Sequence, residues 1–201
     1  MYLSLLYLNP NNAQARRDLA DPYSMHQTLA TVARPGDRVL WRLEAGRYGE
    51  NPRLLLQTAA APNWDLLLSR GPEPYGELAA DSPKAFDPQL SPGQLLRFRL
   101  YANPTVTREG KRLGLYLEEE QIGWLTSRLR ERGARLRAVT VSRRQKRSFK
   151  KKGHTIVLAT GQFDGVLEVT DPDRLRAALE RGIGHGKAFG LGLLSLAKYR
   201  E

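Results

Sequence analysis

The chain has 201 residues, with 32 lysines and arginines, 21 acidic residues, three histidines and no cysteine, and its formal net charge is +11. At roughly 100–200 residues per domain, this length fits one ordinary domain or two small ones. Apolar residues make up 41% of the chain and charged residues 26%, which favours a packed core over wholesale disorder. The absence of cysteine excludes a disulfide scaffold, a thiolate zinc site, an iron–sulfur cluster and a thiol nucleophile.

Nothing in the sequence indicates a membrane segment or a bound cofactor. The apolar run from Met1 to Leu8 is too short for a signal peptide and ends at Asn9 and Pro10. No run approaches the ~18 apolar residues that a membrane span needs. The histidines, at positions 26, 154 and 185, are scattered along the chain and predict no metal site. We therefore expect a soluble, cytoplasmic protein with no membrane partner, no metal and no cofactor.

The predicted elements of the first half alternate between strands and helices. Asp21 followed by Pro22 predicts a helix start, because aspartate caps the first turn and proline favours the first helical position. Pro35 and Gly36 end that helix. In chain order we expect a strand over 2–8, helices over 11–20 and 22–33, strands over 38–44 and 53–58, a short helix over 64–68, and a proline-rich connector or irregular last strand within 62–92.

The second half repeats this order without repeating the sequence. We expect a strand over 94–102, a helix over 118–132, strands over 136–142 and 155–170, a helix over 172–181 and a strand over 190–197. Each half therefore reads β-α-β-β-α-β, the order of the ferredoxin-like fold. The prediction is an α+β protein of two tandem ferredoxin-like domains, with residues 1–90 in the first and 91–201 in the second.

The positive charge is concentrated in one segment. Residues 128–152 contain twelve lysines and arginines against one acid, Glu131, so this segment carries the entire net charge of the chain. A chain whose charge is close to zero outside one strongly basic segment is typical of proteins that bind polyanions. A solvated helix face followed by a flexible basic loop is the alternative. No amphipathic helix with aromatic anchors accompanies the block, so nucleic acid is favoured over a membrane as the partner.

Residues 182–192 contain five glycines between a predicted helix and a predicted strand. Such a loop permits positive φ angles and close approach of a phosphate to backbone N–H groups. It lacks the Gly-Lys-Ser/Thr of a phosphate-binding loop, and its helix-to-strand context is the reverse of the dinucleotide fingerprint. A glycine-rich turn packed against a helix is the alternative interpretation.

The same loop resembles a hallmark of the CRISPR repeat-processing endoribonucleases. It has Gly182-Ile183-Gly184, five residues that include Lys187, and then Gly190-Leu191-Gly192. Further segments resemble the CasE branch of that family in the expected order: Asn9-Pro10, Ala15–Leu19, Asp21–Leu29, Leu40–Leu43, Leu95–Leu100 with Ala102-Asn103-Pro104, and Phe163–Val169 with Asp171-Pro172. The resemblance spans nearly the whole chain, except 70–90 and the middle of the basic block.

This resemblance implies a metal-independent enzyme that cleaves CRISPR precursor RNA at the 3′ base of the repeat stem-loop. The 2′-hydroxyl of the RNA would attack the adjacent phosphate and leave a 2′,3′-cyclic phosphate and a 5′-hydroxyl. The implied partners are the repeat RNA, as precursor and retained product, and the other subunits of the type I-E Cascade complex. The competing hypotheses are a non-catalytic RNA-binding subunit and a ribosome-associated basic protein.

The candidate catalytic residues are His26 and Tyr23. Histidine titrates near neutrality without perturbation and suits proton transfer. Tyr23 lies three residues earlier, on the same helix face, where it could bind the 2′-hydroxyl or the phosphate or orient the imidazole. The family's Tyr-x-x-His pattern falls on these two positions. A helix-capping histidine beside a half-buried tyrosine is the alternative.

The candidate RNA-binding residues are basic side chains and loop glycines. An arm or hairpin around 143–152 is expected to grip the stem through its phosphates, since side chains reach the deep major groove of A-form RNA poorly. Phe149 would stack on a base or pack the hairpin, and His185 is interpreted as structural. The full set is Arg143, Arg144, Lys146, Arg147, Lys150, Lys151 and Lys152 in the arm, Gly184, Gly186 and Lys187 in the glycine loop, and the weaker candidates Lys111 and Arg112.

Overall fold

The chain forms two compact units. The computed structural model describes residues 1–44, 50–69, 72–151 and 154–200, and for 149–151 and 154 it describes the backbone alone. One unit consists of Met1–Asp87 with Lys187–Gly190, and the other of Pro88–Gly186 with Leu191–Glu201. Lys187–Gly190 thus group with the first unit, although the predicted division at residue 90 placed them in the second domain. None of the described helices is long and apolar enough to cross a membrane.

The first unit is an antiparallel sheet with helices packed on it. The elements are β1 (Tyr2–Leu8), α1 (Ala13–Ala20), α2 (Pro22–Ala30), β2 (Leu40–Glu44), β3 (Arg53–Thr58), α3 (Asp65–Leu68), β4 (Gly76–Leu78) and β5 (Lys84–Ala85). The strand order is β2-β3-β1-β4, and the short β5 also pairs with β1. The central strand β1 is thus flanked by β3 and β4, which is the ferredoxin-like order.

Local sequence signals set the ends of α2. The carboxylate of Asp21 accepts hydrogen bonds from the backbone N–H groups of Tyr23 at 3.0 Å and Ser24 at 3.2 Å, and Pro22 occupies the first helical position. The helix ends at Ala30, before the predicted end at residue 33. The end comes early because the amide of Thr31 bonds the carbonyl of Thr28, a tighter turn than an α-helix makes.

The core of the first unit lies between the sheet and its helices. Met25 and Leu29 project from α2 and are fully buried. They pack with side chains of the sheet that are at most 2% exposed: Leu6, Leu8, Trp41, Leu54 and Leu56. Because this stripe on α2 is apolar, the side chains at other positions of the helix remain available for chemistry.

The second unit repeats the ferredoxin-like arrangement. The elements are β6 (Leu95–Ala102), β7 (Thr105–Arg108), β8 (Lys111–Gly114), α4 (Glu118–Glu131), β9 (Ala134–Lys151), β10 (His154–Val169), α5 (Pro172–Arg181) and β11 (Leu194–Lys198). The four-stranded sheet has the order β11-β6-β10-β9 and is antiparallel throughout. The fold class predicted from the sequence, two tandem ferredoxin-like domains, is therefore confirmed.

Three segments differ from the predicted elements. The basic block, 128–152, begins in the last turn of α4 and continues as strand β9 from Ala134 to Lys151, so the flexible-loop alternative is wrong for the part of the block that the structure describes. The hairpin of β7 and β8 lies between residues 102 and 118, where the sequence predicted neither a strand nor a helix. The last strand begins at Leu194 rather than at residue 190, because Lys187–Phe189 form a 3-10 turn and Gly190 and Gly192 have positive φ angles.

Substitution of Gly190 tests how tightly the 3-10 turn is packed against the sheet. A Cβ atom there would lie 2.7 Å from the Trp41 ring, and φ is +75°, whereas Gly36 has φ of +86° with nothing within 4 Å. We expect Gly36→Ala to cost about 1–2 kcal/mol of unfolding free energy, from backbone strain alone. Gly190→Ala should cost about 1–3 kcal/mol more because it also overpacks the ring. Urea unfolding of both variants measures the difference in unfolding free energy. Equal losses of unfolding free energy would contradict a tight contact between Gly190 and the Trp41 ring.

Candidate active site

Helix α2 carries the two predicted catalytic side chains. Met25, Thr28 and Leu29 are buried, while Tyr23 and His26 are half-buried. The Nδ1 atom of His26 is buried, so a substrate cannot contact that ring nitrogen. The sequence-based placement of Tyr23 and His26 on one helix, outside its apolar stripe, is confirmed.

The 3-10 turn Lys187–Phe189 packs against this helix. The ring of Phe189 is 8% exposed, and its centroid lies 6.2 Å from that of Tyr23 with the planes tilted by 35°. Gly190 follows directly and lies against the ring of Trp41 in β2. These two contacts hold Lys187 beside α2, although the sequence separates it widely from His26.

His26 and Lys187 line one cleft of about 460 Å³. The remaining walls are Ala30 of α2, Ala188 of the 3-10 turn and residues 36–39, which form the end of a tight turn after α2 and the two residues that follow it. In that turn the amide of Asp37 bonds the carbonyl of Arg34 at 3.0 Å, and Gly36 has a φ of 86°. Proline then glycine at the two central positions is the sequence of a type II turn.

Two charged residues of this cleft were missed by the sequence analysis. Asp37 is half-buried and Arg38 is exposed, and both line the cleft with His26. The sequence feature that could have indicated them is the Pro35-Gly36 turn directly before them. The sequence analysis used that turn only to place the end of a helix. An imidazole beside Lys187 and Arg38 can transfer a proton next to a phosphate that the two cations hold. Within the described residues, no group of three or more histidine and acidic side chains could hold a metal ion.

The first two cations of the predicted arm contact the protein itself. Arg143 lies at a β-bulge, with a φ of 49° and a register shift opposite it between Thr160 and Gln162. Its guanidinium stands 4.7 Å from the centroid of the Tyr101 ring and donates a hydrogen bond to Gln162 Oε1 at 3.2 Å. Arg144 forms an ion pair of 3.3 Å with Glu118.

The later cations of the arm differ in how far the structure describes them. Lys146 is exposed and Arg147 is half-buried. The side chains of Phe149, Lys150 and Lys151 and all of Lys152 lie outside the described residues. Contact of this arm with RNA therefore stays a prediction.

The remaining candidates all lie in the second unit. Lys111 and Arg112 are exposed on β8, and His185 is exposed as well. A Cβ atom at Gly184 would lie 3.2 Å from the Trp124 ring, and one at Gly186 would lie 3.0 Å from Leu191. Both contacts are tight, and the positive φ angles of both positions favour glycine. Contact of these glycines with phosphate stays a prediction.

Comparison with known proteins identifies the family. Residues 1–198 match the family described as CRISPR associated protein. The CRISPR-associated endoribonuclease Cse3 of Thermus thermophilus is 42% identical over 216 residues, which cover 98% of this chain and 100% of that protein. The Cascade subunit CasE of Escherichia coli K12 is 31% identical, with 98% of this chain and 99% of that protein covered.

The chain belongs to the CasE family of CRISPR-associated endoribonucleases. The resemblance found in the sequence is thereby confirmed. The structure of CRISPR endoribonuclease Cse3 bound to a 19-nucleotide RNA superposes on this CasE-family chain with a TM-score of 0.89 and covers 98% of it. The fold of this family member therefore agrees with that of a relative captured with RNA.

A buried carboxylate supports the catalytic helix of this CasE-family protein. Asp18 of α1 is 0% exposed and accepts hydrogen bonds from Ser24 Oγ at 2.7 Å and from the Tyr75 hydroxyl at 3.0 Å. Ser24 directly follows Tyr23, so this network ties α1 to the first turn of α2. Burial, and then the neighbouring Asp18 carboxylate, raise the pKa of Tyr75 well above its usual value.

The raised pKa predicts how stability changes at alkaline pH. The folded protein keeps the Tyr75 proton where the unfolded chain loses it, so this stabilisation is complete below pH about 10 and declines as the pH rises further. Near neutral pH, Tyr75→Phe should lower the unfolding free energy by about 1–3 kcal/mol, because Asp18 loses a buried donor.

Urea unfolding at a series of pH values measures this effect. The gap between wild type and Tyr75→Phe should narrow above pH about 10. Tyr199, which is 40% exposed, provides the matched control, and Tyr199→Phe should show no such gap. A gap for Tyr75→Phe that is constant with pH would contradict the role assigned to this hydroxyl.

Proposed function

We propose that this chain cleaves CRISPR precursor RNA at the 3′ base of the repeat stem-loop, without a metal ion. The observation that carries the proposal is the cleft in which His26 and Lys187 lie together. Membership of an endoribonuclease family and the likeness to a relative bound to RNA support RNA as the substrate.

The proposed reaction is a transesterification within the RNA. The 2′-oxygen forms a bond to the adjacent phosphorus, and the bond from phosphorus to the 5′-oxygen breaks. The 2′-hydroxyl loses its proton and the departing 5′-oxygen gains one, so the products are a 2′,3′-cyclic phosphate and a 5′-hydroxyl. Catalysis therefore needs proton transfer at two oxygens and positive charge around the pentavalent phosphorus.

His26 is proposed to transfer the proton, a step that is typically worth ~10²–10⁴-fold in rate. Tyr23 is proposed to bind the 2′-hydroxyl or the phosphate, because residues three positions apart on a helix share a face. Lys187 places an ammonium group in the cleft, where it would neutralise charge on the phosphate. Alignment of the RNA against these groups would supply the remaining acceleration.

The β9–β10 hairpin is proposed to hold the RNA stem. Its strands carry a dense row of cations, of which Lys146 is exposed and fully described. Binding through phosphates would be strong and salt-dependent, because each neutralised phosphate releases condensed counterions. Arg143 and Arg144 are proposed to contribute less, since their guanidinium groups already contact Tyr101 and Glu118.

The proposed partners are the repeat RNA and the other subunits of Cascade. The Escherichia coli relative is named as a subunit of that complex, and this chain covers 99% of its length. An enzyme that stays in such a complex would retain its product rather than release it. Because the substrate is a primary transcript, the proposed compartment is the cytoplasm.

Replacement of His26 tests the catalytic assignment. His26→Ala should lower the single-turnover cleavage rate of a repeat hairpin at least about 10²-fold, because the proton carrier is lost. The dissociation constant for a 2′-deoxy, uncleavable hairpin should change by no more than about threefold, less than 1 kcal/mol. His185→Ala is the matched control, since it removes an exposed histidine of the other unit and should cleave at the wild-type rate. A His26→Ala enzyme of near wild-type rate would remove this residue from the mechanism.

The salt dependence of binding tests the arm. Replacement of Lys150, Lys151 and Lys152 by alanine should weaken binding and reduce the slope of log K against log salt, by about 0.7–0.9 for each phosphate that the variant no longer neutralises. The matched control replaces three exposed cations outside the arm, Lys84, Arg181 and Lys198. If both triple variants bind with the same slope as wild type, the three lysines do not contact phosphate.

A further inference from the structure

The catalytic cleft contains a second cation that the sequence analysis did not assign to it. The charged side chains that line the cleft are Lys187, Arg38 and Asp37. The imidazole of His26, on α2, lines the same cleft. The transition state of the proposed reaction has an additional negative charge on the non-bridging oxygens. The charges of Lys187 and Asp37 cancel, so these two residues together supply no net positive charge to stabilise the transition state. The cleft is cationic only because Arg38 is present.

The backbone holds Arg38 in a fixed place. The hydrogen-bonded turn from Arg34 to Asp37 precedes it, and Val39 and Leu40, which are 6% and 0% exposed, follow it. Arg38 is therefore anchored on both sides by residues that have little freedom. Its own side chain is exposed at the cleft.

The guanidinium of Arg38 is available to a ligand. It forms no hydrogen bond or ion pair with any residue that the structure describes. Arg143 and Arg144, by contrast, contact an aromatic ring and a carboxylate of the protein. A guanidinium presents two parallel donors to two oxygens of one phosphate, whereas an ammonium acts as a point charge.

We propose that Arg38 is a further catalytic residue, which donates hydrogen bonds to the non-bridging oxygens of the scissile phosphate while Lys187 neutralises the same group. This inference rests on the proposed function of the cleft. The 2′-oxygen, the phosphorus and the 5′-oxygen exchange bonds as described above, and Arg38 neither gains nor loses a proton. Its contribution is to stabilise charge that develops as the phosphorus becomes pentavalent.

Cleavage rates and binding constants distinguish this role from simple RNA attraction. Arg38→Ala should lower the single-turnover rate by about 10- to 100-fold, less than the loss of a buried donor costs, because Arg38 is exposed. Its dissociation constant for the 2′-deoxy hairpin should stay within about threefold of wild type. Arg38→Lys should have an intermediate rate, since it keeps the charge and loses the paired donors.

Arg34 offers the matched control. It belongs to the same turn and is exposed, but it does not line the cleft. Arg34→Ala removes the same charge from the same loop and should cleave at the wild-type rate. Equal loss of rate in Arg34→Ala and Arg38→Ala would overturn the proposal, because it would show a general effect of charge or of the loop.

Sulfur substitution tests direct contact with the phosphate. Replacement of one non-bridging oxygen of the scissile phosphate by sulfur, as separated diastereomers, weakens hydrogen bonds to that position. Wild type should be slowed more by one diastereomer than by the other, and Arg38→Ala should lose several-fold of that discrimination. Unchanged discrimination in Arg38→Ala would contradict the contact, since a merely structural residue would lower the rate for both diastereomers alike.

The His26→Ala enzyme separates this inference from the proposed function. If His26→Ala cleaves normally, the cleft is not the active site and both proposals fall. If His26→Ala is inactive while Arg38→Ala cleaves like Arg34→Ala, the proposed function stands and only the role of Arg38 falls.

Discussion

The candidate active site depends on one packing contact, between the 3-10 turn near the end of the chain and the helix near its start. Phe189 lies against Tyr23, and Gly190 allows the turn to close on Trp41. Without this contact, Lys187 would not lie in the cleft of His26. Apolar packing thus determines where a phosphate-binding cation stands, and a single Cβ atom at Gly190 would disturb both.

The cations of this protein divide into groups with different roles. Those of the β9–β10 hairpin are numerous, and several of them, including Arg137, Arg143 and Arg144, contact other side chains of the protein. Those of the cleft are few but lie beside the histidine. Dense charge on a surface strengthens and accelerates association, whereas a fixed charge beside the reacting atoms stabilises the transition state. The net charge of the chain therefore indicates binding but says little about catalysis.

Much of the fold was predictable because its signals are local. Asp21 and Pro22 set the start of α2, and the alternation of Leu96, Phe98 and Leu100 marked a strand. The cleft was less predictable, because the approach of Lys187 to His26 is a tertiary contact with no periodic signal. The bulge at Arg143 was also unpredictable, since alternation does not show which residue a strand leaves unpaired.

Cleavage of an end-labelled repeat hairpin in excess EDTA tests the central claim most directly. The substrate is the repeat of the same genome's CRISPR array, compared with the same RNA carrying one 2′-deoxy nucleotide at the scission site. The enzyme should cut the first RNA, leave the second intact and bind both equally. Tight binding of both without cutting of either would contradict an active site built on His26 and would leave a recognition subunit instead.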